Sequence, residues 1–376
     1  MTHPVPLDQS AQNPPEKRNS DAHSPRRPRQ NHRSSAGPVI RMIGTAAENI
    51  RPPVRVRHAT RTHGSGSAPA KLILVGEHTV VHGAPAIAMP IPTMRIRASA
   101  SRGIDAARPE SMSAFTRRIR CDGGHSDAAD SGIPMAVREL LRRCGIAEDV
   151  VEVELSGDVP LARGLGASAA STAAAVQAVA DLYHCELDYR TRYELVQCGE
   201  QVAHGRASGV DTSAVLASGP ILFQADTARP LEIGLRAGIV IADTGKRGNT
   251  RDAVARVQDR FNADRAGKRS ILGVAIELAA AAREHLAAGE TAALGEVLLR
   301  CQDLLVEMGV STPEINRLIA AALDSGALGA KLTGGGLGGC VIALAEPDPA
   351  LLLRLSTALR SAGAVRTWIT GLGGAS

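Results

Sequence analysis

The sequence predicts an α+β fold, and three observations carry that expectation. Strand-like and helix-like stretches alternate irregularly along the chain, unlike the regular strand–helix rhythm of a doubly wound sheet. The 376 residues suffice for two packed lobes or one large domain once a leading segment is set aside. Hydrophobic residues make up 44% of the chain and aromatic ones only 2%, so the core must be built from Leu, Val, Ile and Ala.

Residues 1–52 are rich in Pro, Ser, Arg, Asn and Gln and show no strand or helix period. Such a segment cannot bury enough apolar surface to offset its ordering entropy, so a disordered basic tail is expected, with Met42 an alternative start. From Val54 the pattern changes. VRVRHA alternates, KLILVG and PAIAMPI surround the Gly83-Ala84-Pro85 turn, and MRIRASASR and VEVEL (Val151 to Leu155) alternate again, all reading as strands. After Gly166, SAASTAAAVQAVADLY reads as an alanine-rich helix, and YELVQCGEQVAHG as another. ILF and GIVIAD return to strand character, helices dominate from Asn249 to Ser325, and CVIALA, a helix over residues 351–361 and VRTWIT close the chain.

The net charge of +5 is misleading: residues 1–68 carry +7 and the remainder −2, so the basicity belongs to the tail and no nucleic-acid partner is expected. No window approaches the roughly 18 apolar residues of a membrane span, and no apolar leader opens the chain, so a cytoplasmic protein without a membrane partner is expected. The six cysteines, Cys121, Cys144, Cys185, Cys198, Cys301 and Cys340, form no CxxC pair and no metal-ligand spacing. Reduced, mostly buried thiols are the expectation.

Three separated segments share one logic: KLILVGEHTVVHG (Lys71 to Gly83), PLARGLGASAA (Pro160 to Ala170) and KLTGGGLGGC (Lys331 to Cys340). Each sets glycines and small residues beside a polar or charged one, as a phosphate-handling site assembled from distant parts of a chain requires. In the middle segment, Gly164 to Ser168 lead directly into a helix whose free N–H groups and dipole converge on an anion; alternatively it is a glycine turn with a serine cap. Neither the Walker A pattern nor the HRD and DFG set of protein kinases occurs. Glu200 and Asp211 could divide the work of a metal ligand and a base beside an attacking hydroxyl, or be a solvated helix carboxylate and a loop cap. Lys71 is out of pattern in its apolar run unless it lies at a strand edge or points into a site, where it would keep Asp211 ionised. His78 either contacts a small polar substrate or is a core histidine.

Together these segments resemble the GHMP kinase superfamily. The likeness runs from about residue 62 to 372 and rests on KLILVGEHTVVHGAPAIAMPI, GLGASAA, EQVAHGRASGVD, DTGKRGNTRDAV (Asp243 to Val254) and KLTGGGLGGC. On those motifs the chain looks most like the branch of the family that acts on mevalonate; a galactokinase-like chain would continue GEH with Thr-Asp-Tyr, whereas Thr79 is followed by Val80. The resemblance implies a two-lobed fold: an ATP-binding lobe over residues 53–245, similar to ribosomal protein S5 domain 2, and a ferredoxin-like lobe over 246–376. It implies ATP- and Mg²⁺-dependent phosphorylation of a small alcohol by a homodimer. Asp211 would be the base and Lys71 its assistant, with Ser168 and Glu200 on Mg²⁺. Pro160, Arg163, Gly164, Leu165, Gly166, Ala167, Ser168 and Ala169 would wrap the ATP phosphates. His78 and Thr244 would face the acceptor, and Gly334, Gly335, Gly336, Gly338 and Gly339 would brace the site. Two departures stand out: Ala167 replaces a common first serine, and Leu337 interrupts the glycine run. A phosphorylated acceptor would call for further cations, for which Arg206, Lys246 and Arg247 are placed in sequence.

Overall fold

A computed structural model of the chain describes residues 61–102, 115–121, 132–146, 150–204 and 207–373. The tail over 1–52 and the VRVRHA strand signal lie outside these residues.

The first sheet contains β1 (His63–Val75), β2 (Ala86–Arg102), β3 (Phe115–Cys121), β4 (Val151–Gly157), β5 (Ile221–Gln224) and β6 (Thr227–Pro230). Its order is β3-β4-β2-β5-β6, with β1 paired to β2, and every pairing is antiparallel. PAIAMPI and MRIRASASR, read as two strands, form the single strand β2. Its Pro90 and Pro92 fall in the gap between the β5 pairing (86–88) and the β4 pairing (96–102), where no second neighbour asks for their missing N–H. β1 begins at His63, well before the apolar run at Lys71, because it pairs with β2 along nearly its whole length.

Helices α1 (Gly132–Arg143), α2 (Ala167–Leu182) and α4 (Val210–Leu216) pack on this sheet, and α3 (Tyr189–His204) packs on those three helices. α2 is buried on almost every side, as its alanine-rich sequence allows. It lies so close to β1 that a Cβ on Gly66 would sit 2.1 Å from the Ala174 carbonyl oxygen.

The second sheet holds β7 (Ala237–Asp243), β8 (Gly329–Thr333), β9 (Cys340–Ala345) and β10 (Arg366–Leu372), all antiparallel in the order β10-β7-β9-β8. Counted within the lobe, the strands run fourth, first, third, second. Helices α5 (Thr250–Ala263), α6 (Arg265–Ala288), α7 (Thr291–Glu307) and α8 (Pro313–Asp324) connect the first to the second, and α9 (Pro349–Ser361) the third to the fourth. Two interleaved β-α-β units of this order make the expected ferredoxin-like lobe. The expected lobe boundary at residue 245 needs correction. β7 belongs to the second sheet, so the changeover falls between Pro230 and Ala237; its partners β9 and β10 lie far downstream, where local sequence could not reveal them. The lobes share one buried cluster: Leu278, Ala282 and Leu298 of α6 and α7 join Leu72 and Ile87 of the first sheet.

Candidate active site

An edge strand exposes unpaired N–H and C=O groups that must be satisfied somewhere. β1 gives one edge to β2, and groups on the other are taken up by α2 side chains, by the loop before α2 and by the end of β8. Lys71 N donates to Leu165 O at 3.0 Å, Ile73 N to Thr333 Oγ1 at 3.0 Å, and the Thr333 hydroxyl donates back to Ile73 O at 3.2 Å. The first motif thereby holds the other two. The Lys71 side chain turns inward, almost wholly buried, with Nζ 2.9 Å from Asp211 Oδ1 and 3.1 Å from Gly164 O. Lys71 is therefore not an ordinary edge lysine.

Gly166 adopts φ +68° and stands at the N-cap of α2, and the first amide to bond back is Ala170 N, on Gly166 O at 2.9 Å. The N–H groups of Ala167, Ser168 and Ala169 are left outside the helix ladder at the positive end of the dipole. Ser168 Oγ donates to Glu200 Oε1 at 2.6 Å, coupling α2 to α3. A cavity of about 320 Å³ opens over this turn, lined by Arg163, Gly164, Gly166, Ala167, Ser168 and Glu200, with Ile119, Ile133 and Leu155 supplying apolar wall. Of the residues expected to wrap phosphates, Pro160 does not line it, while Leu165 and Ala169 have their side chains in the core.

A second cavity, of about 180 Å³, adjoins the first. Gly164, Glu200, Asp211 and Thr250 line both, so the Lys71–Asp211 pair stands at their junction. Ile73, His78, Val80, Gln197 and Thr212 contribute to the smaller one. His78 sits at φ +61° with Nε2 2.9 Å from Gly335 O. A carbonyl oxygen only accepts, so Nε2 carries the ring proton. Burial lowers the His78 pKa from 6.5 to about 4, which keeps the ring neutral at pH 7. In the unfolded chain the ring protonates at its ordinary pKa, so the stability contributed by the neutral ring is full above about pH 6.5 and is lost as pH falls toward 4. Urea titrations at pH 7.5 and pH 4 should show wild type losing about 3 kcal/mol more than His78→Gln between the two. Equal losses in the two proteins would refute this source of acid sensitivity.

The third motif forms a seam between the lobes. A Cβ on Gly334 would meet Gly164 Cα at 2.5 Å, and one on Gly164 would meet Thr333 O at 2.7 Å; both residues have positive φ, so glycine is required twice over. Leu337, the interruption in the glycine run, takes φ +56°, bonds Val310 O at 2.8 Å through its N–H and packs on the second lobe's core. Beneath the seam, Lys331 Nζ donates to Glu77 Oε1 and to Leu332 O, with both charged side chains buried. Burial pushes the Glu77 carboxyl up while the Lys331 ammonium pulls it back down.

Thr244 does not stand where expected. It is buried, its hydroxyl donates to Gly339 O at 2.8 Å, and it lines neither cavity. Its loop is scaffold: Arg163 Nε bonds Asp243 Oδ2 at 3.1 Å, Gly248 N bonds Ala162 O at 2.9 Å, and Gly339 N bonds Lys246 O at 2.8 Å. Thr250, the first residue of α5, reaches both cavities instead. Its signal in the sequence was the Asn249 N-cap just before it. Gln197 was also missed. Its amide donates to Ala207 O and accepts from Thr212 Oγ1, each at 2.9 Å, tying α3 to the segment that presents Asp211. Of the cations that a phosphorylated acceptor would call for, Lys246 is paired with Glu314, neither it nor Arg247 lines either of these two cavities, and Arg206 lies outside the described residues.

Comparison with known proteins fits this geometry. Residues 132–219 match the GHMP kinases N terminal domain and residues 281–365 the GHMP kinases C terminal domain. The chain belongs to the GHMP kinase family and is a kinase that draws its phosphoryl group from ATP. Its relatives bear a narrower name. The mevalonate kinase of Pyrococcus horikoshii is 32% identical over 319 residues, covering 80% of this chain and 92% of that protein. That of Aeropyrum pernix is 32% identical over 290 residues, covering 76% and 89%. The crystal structure of L. major mevalonate kinase in complex with R-mevalonate superposes with a TM-score of 0.70 at 26% identity, over 85% of this chain and 98% of that one. Mevalonate kinase from Staphylococcus aureus gives 0.63 at 27% identity, over 84% and 100%.

Proposed function

We propose that the chain transfers the γ-phosphoryl group of ATP to the 5-hydroxyl of (R)-mevalonate, releasing 5-phosphomevalonate and ADP in isoprenoid biosynthesis by the mevalonate pathway. The observation that carries this reading is the meeting of two cavities at Lys71 and Asp211. A nucleotide in the larger cavity would set its phosphates on the open first turn of α2, with its terminal phosphate toward the junction. An alcohol in the smaller cavity would bring its hydroxyl to Asp211, which accepts or orients the proton. Lys71, fixed by Gly164 O and Asp211, offsets charge that develops on the transferring group.

Ser168 and Glu200 fit a hard cation. They offer two oxygen donors in contact beside the phosphate-binding turn. Among the described residues no group of three or more His, Cys, Asp or Glu side chains could hold a metal, so the remaining ligands would be phosphate and water oxygens, the preference of Mg²⁺. When bound there, Mg²⁺ would neutralise phosphate charge.

The acceptor cavity favours an unphosphorylated alcohol. Lys71 is its one cationic lining residue among the described residues and is already engaged, His78 is neutral, and Lys246 is paired elsewhere. A cytoplasmic homodimer belongs to the same proposal, to be tested by light scattering; no described helix is long and apolar enough to cross a membrane. In a coupled ADP-release assay with mevalonate, phosphomevalonate, homoserine and galactose, mevalonate should give a kcat/KM at least roughly 100-fold above the others. Faster turnover of any other acceptor would overturn the assignment.

A further inference from the structure

We propose that Cys144 and Cys185 form an oxidative modification site, an intrachain disulfide that ties the C-terminal end of α1 to the connection between α2 and α3. The two sulfurs lie 2.6 Å apart although 41 positions separate them in sequence. A disulfide needs about 2.05 Å, so closure asks for a shift of about half an ångström. The approach is built into the backbone. Cys144 N bonds Leu140 O at 2.9 Å and Ile146 N bonds Leu141 O at 2.8 Å around Gly145, whose φ is +72°, fixing the end of α1. Cys185 N bonds Ala180 O at 2.8 Å and Tyr183 N bonds Val179 O at 3.2 Å, fixing the end of α2.

Proximity and chemistry single out this pair among the described cysteines. Cys144 is half-buried, like Cys198, and gives a small oxidant its way to the pair, while Cys185, Cys301 and Cys340 are buried; among the described cysteines only Cys144 and Cys185 are hydrogen-bonded to each other. The hydrogen bond between the paired thiols lowers the Cys185 pKa and raises that of Cys144. Burial raises Cys198, Cys301 and Cys340. With a peroxide as oxidant, the Cys185 thiolate attacks one peroxide oxygen, the O–O bond breaks, and Cys185 becomes a sulfenic acid as the departing hydroxide takes a proton to form water. Cys144 sulfur then attacks the sulfenyl sulfur, and its proton leaves with the displaced hydroxide as a second water. Two thiols and one hydrogen peroxide thus give one disulfide and two waters.

Neither cysteine lines either of the two cavities of the site, so the readout is stability. A cross-link closing a loop of this length should raise Tm by roughly 5–10 °C. The full-length reduced protein is treated with hydrogen peroxide, quenched, titrated for thiols in denaturant and mapped by non-reducing peptide mass spectrometry. The expected result is loss of two of the six thiols, a linked Cys144–Cys185 peptide, a Tm gain reversed by dithiothreitol, and no gain in Cys144→Ser or Cys185→Ser. Six thiols remaining, oxidation without the linked peptide, or a Tm gain that persists in either variant would overturn the proposal. The wild-type peptide map decides even if a serine variant folds poorly.

Discussion

Replacing Asp211 with Asn should lower kcat by roughly 10²- to 10⁴-fold while ATP affinity stays near that of wild type. The substitution preserves shape, and the amide oxygen can still accept from Lys71 Nζ, which now lies 2.9 Å from Oδ1. Lys71 also retains Gly164 O, so the loop over the first turn of α2 has no reason to move. What is lost is a carboxylate able to take a proton at the junction of the two cavities. That loss is felt when the acceptor hydroxyl attacks and not when the nucleotide binds, so kcat and kcat/KM should fall together. Lys71→Met provides the contrast: it strips a partner from both Asp211 and Gly164 O, so nucleotide affinity should weaken along with kcat. Steady-state kinetics and nucleotide titration calorimetry on both variants separate the roles. Asp211→Asn turnover within about tenfold of wild type would show that another group takes the proton.

Much of this site was legible in the sequence because its chemistry is carried by local patterns. Gly164 to Ser168 announce a helix N-terminus, and Lys71 is conspicuous as a charge in an apolar run; the fold brings Lys71 to Asp211 and Ser168 to Glu200. What was not legible depends on long-range placement. GIVIAD reads as a strand, but its membership in the second sheet rests on partners that local sequence does not indicate. Within DTGKRGNTRDAV the resemblance set Thr244 toward the acceptor and passed over Thr250. They separate only in three dimensions, where Thr244 turns its hydroxyl onto Gly339 O and Thr250 opens α5 toward both cavities. Gln197 is unremarkable within its helix, and its role follows from where Ala207 and Thr212 come to rest.

The seam between the lobes gives the second large effect: Lys331→Met should cost about 3–5 kcal/mol of unfolding free energy. From Lys331 onward, successive contacts of the third motif meet the first lobe. Lys331 meets Glu77, Thr333 meets Ile73, Gly334 meets Gly164 and Gly335 meets His78. Methionine fits the volume but leaves the Glu77 carboxylate buried without its ammonium and Leu332 O without its donor. Burial already pushes Glu77 up against the pull of Lys331, so removing that pull tilts it further toward the neutral acid. Removing both charges in Glu77→Leu/Lys331→Met should recover most of the loss, since a buried pair replaced by apolar groups leaves no stranded charge. The recovered variant should nevertheless remain a poor kinase, because Glu77 and His78 both line the smaller cavity, the proposed acceptor site. Urea denaturation of the two single variants and the double measures the coupling, and KM for the acceptor reports the turn. A Lys331→Met cost below about 1 kcal/mol, or single-variant costs that simply add in the double, would mean that the ion pair does not hold the seam.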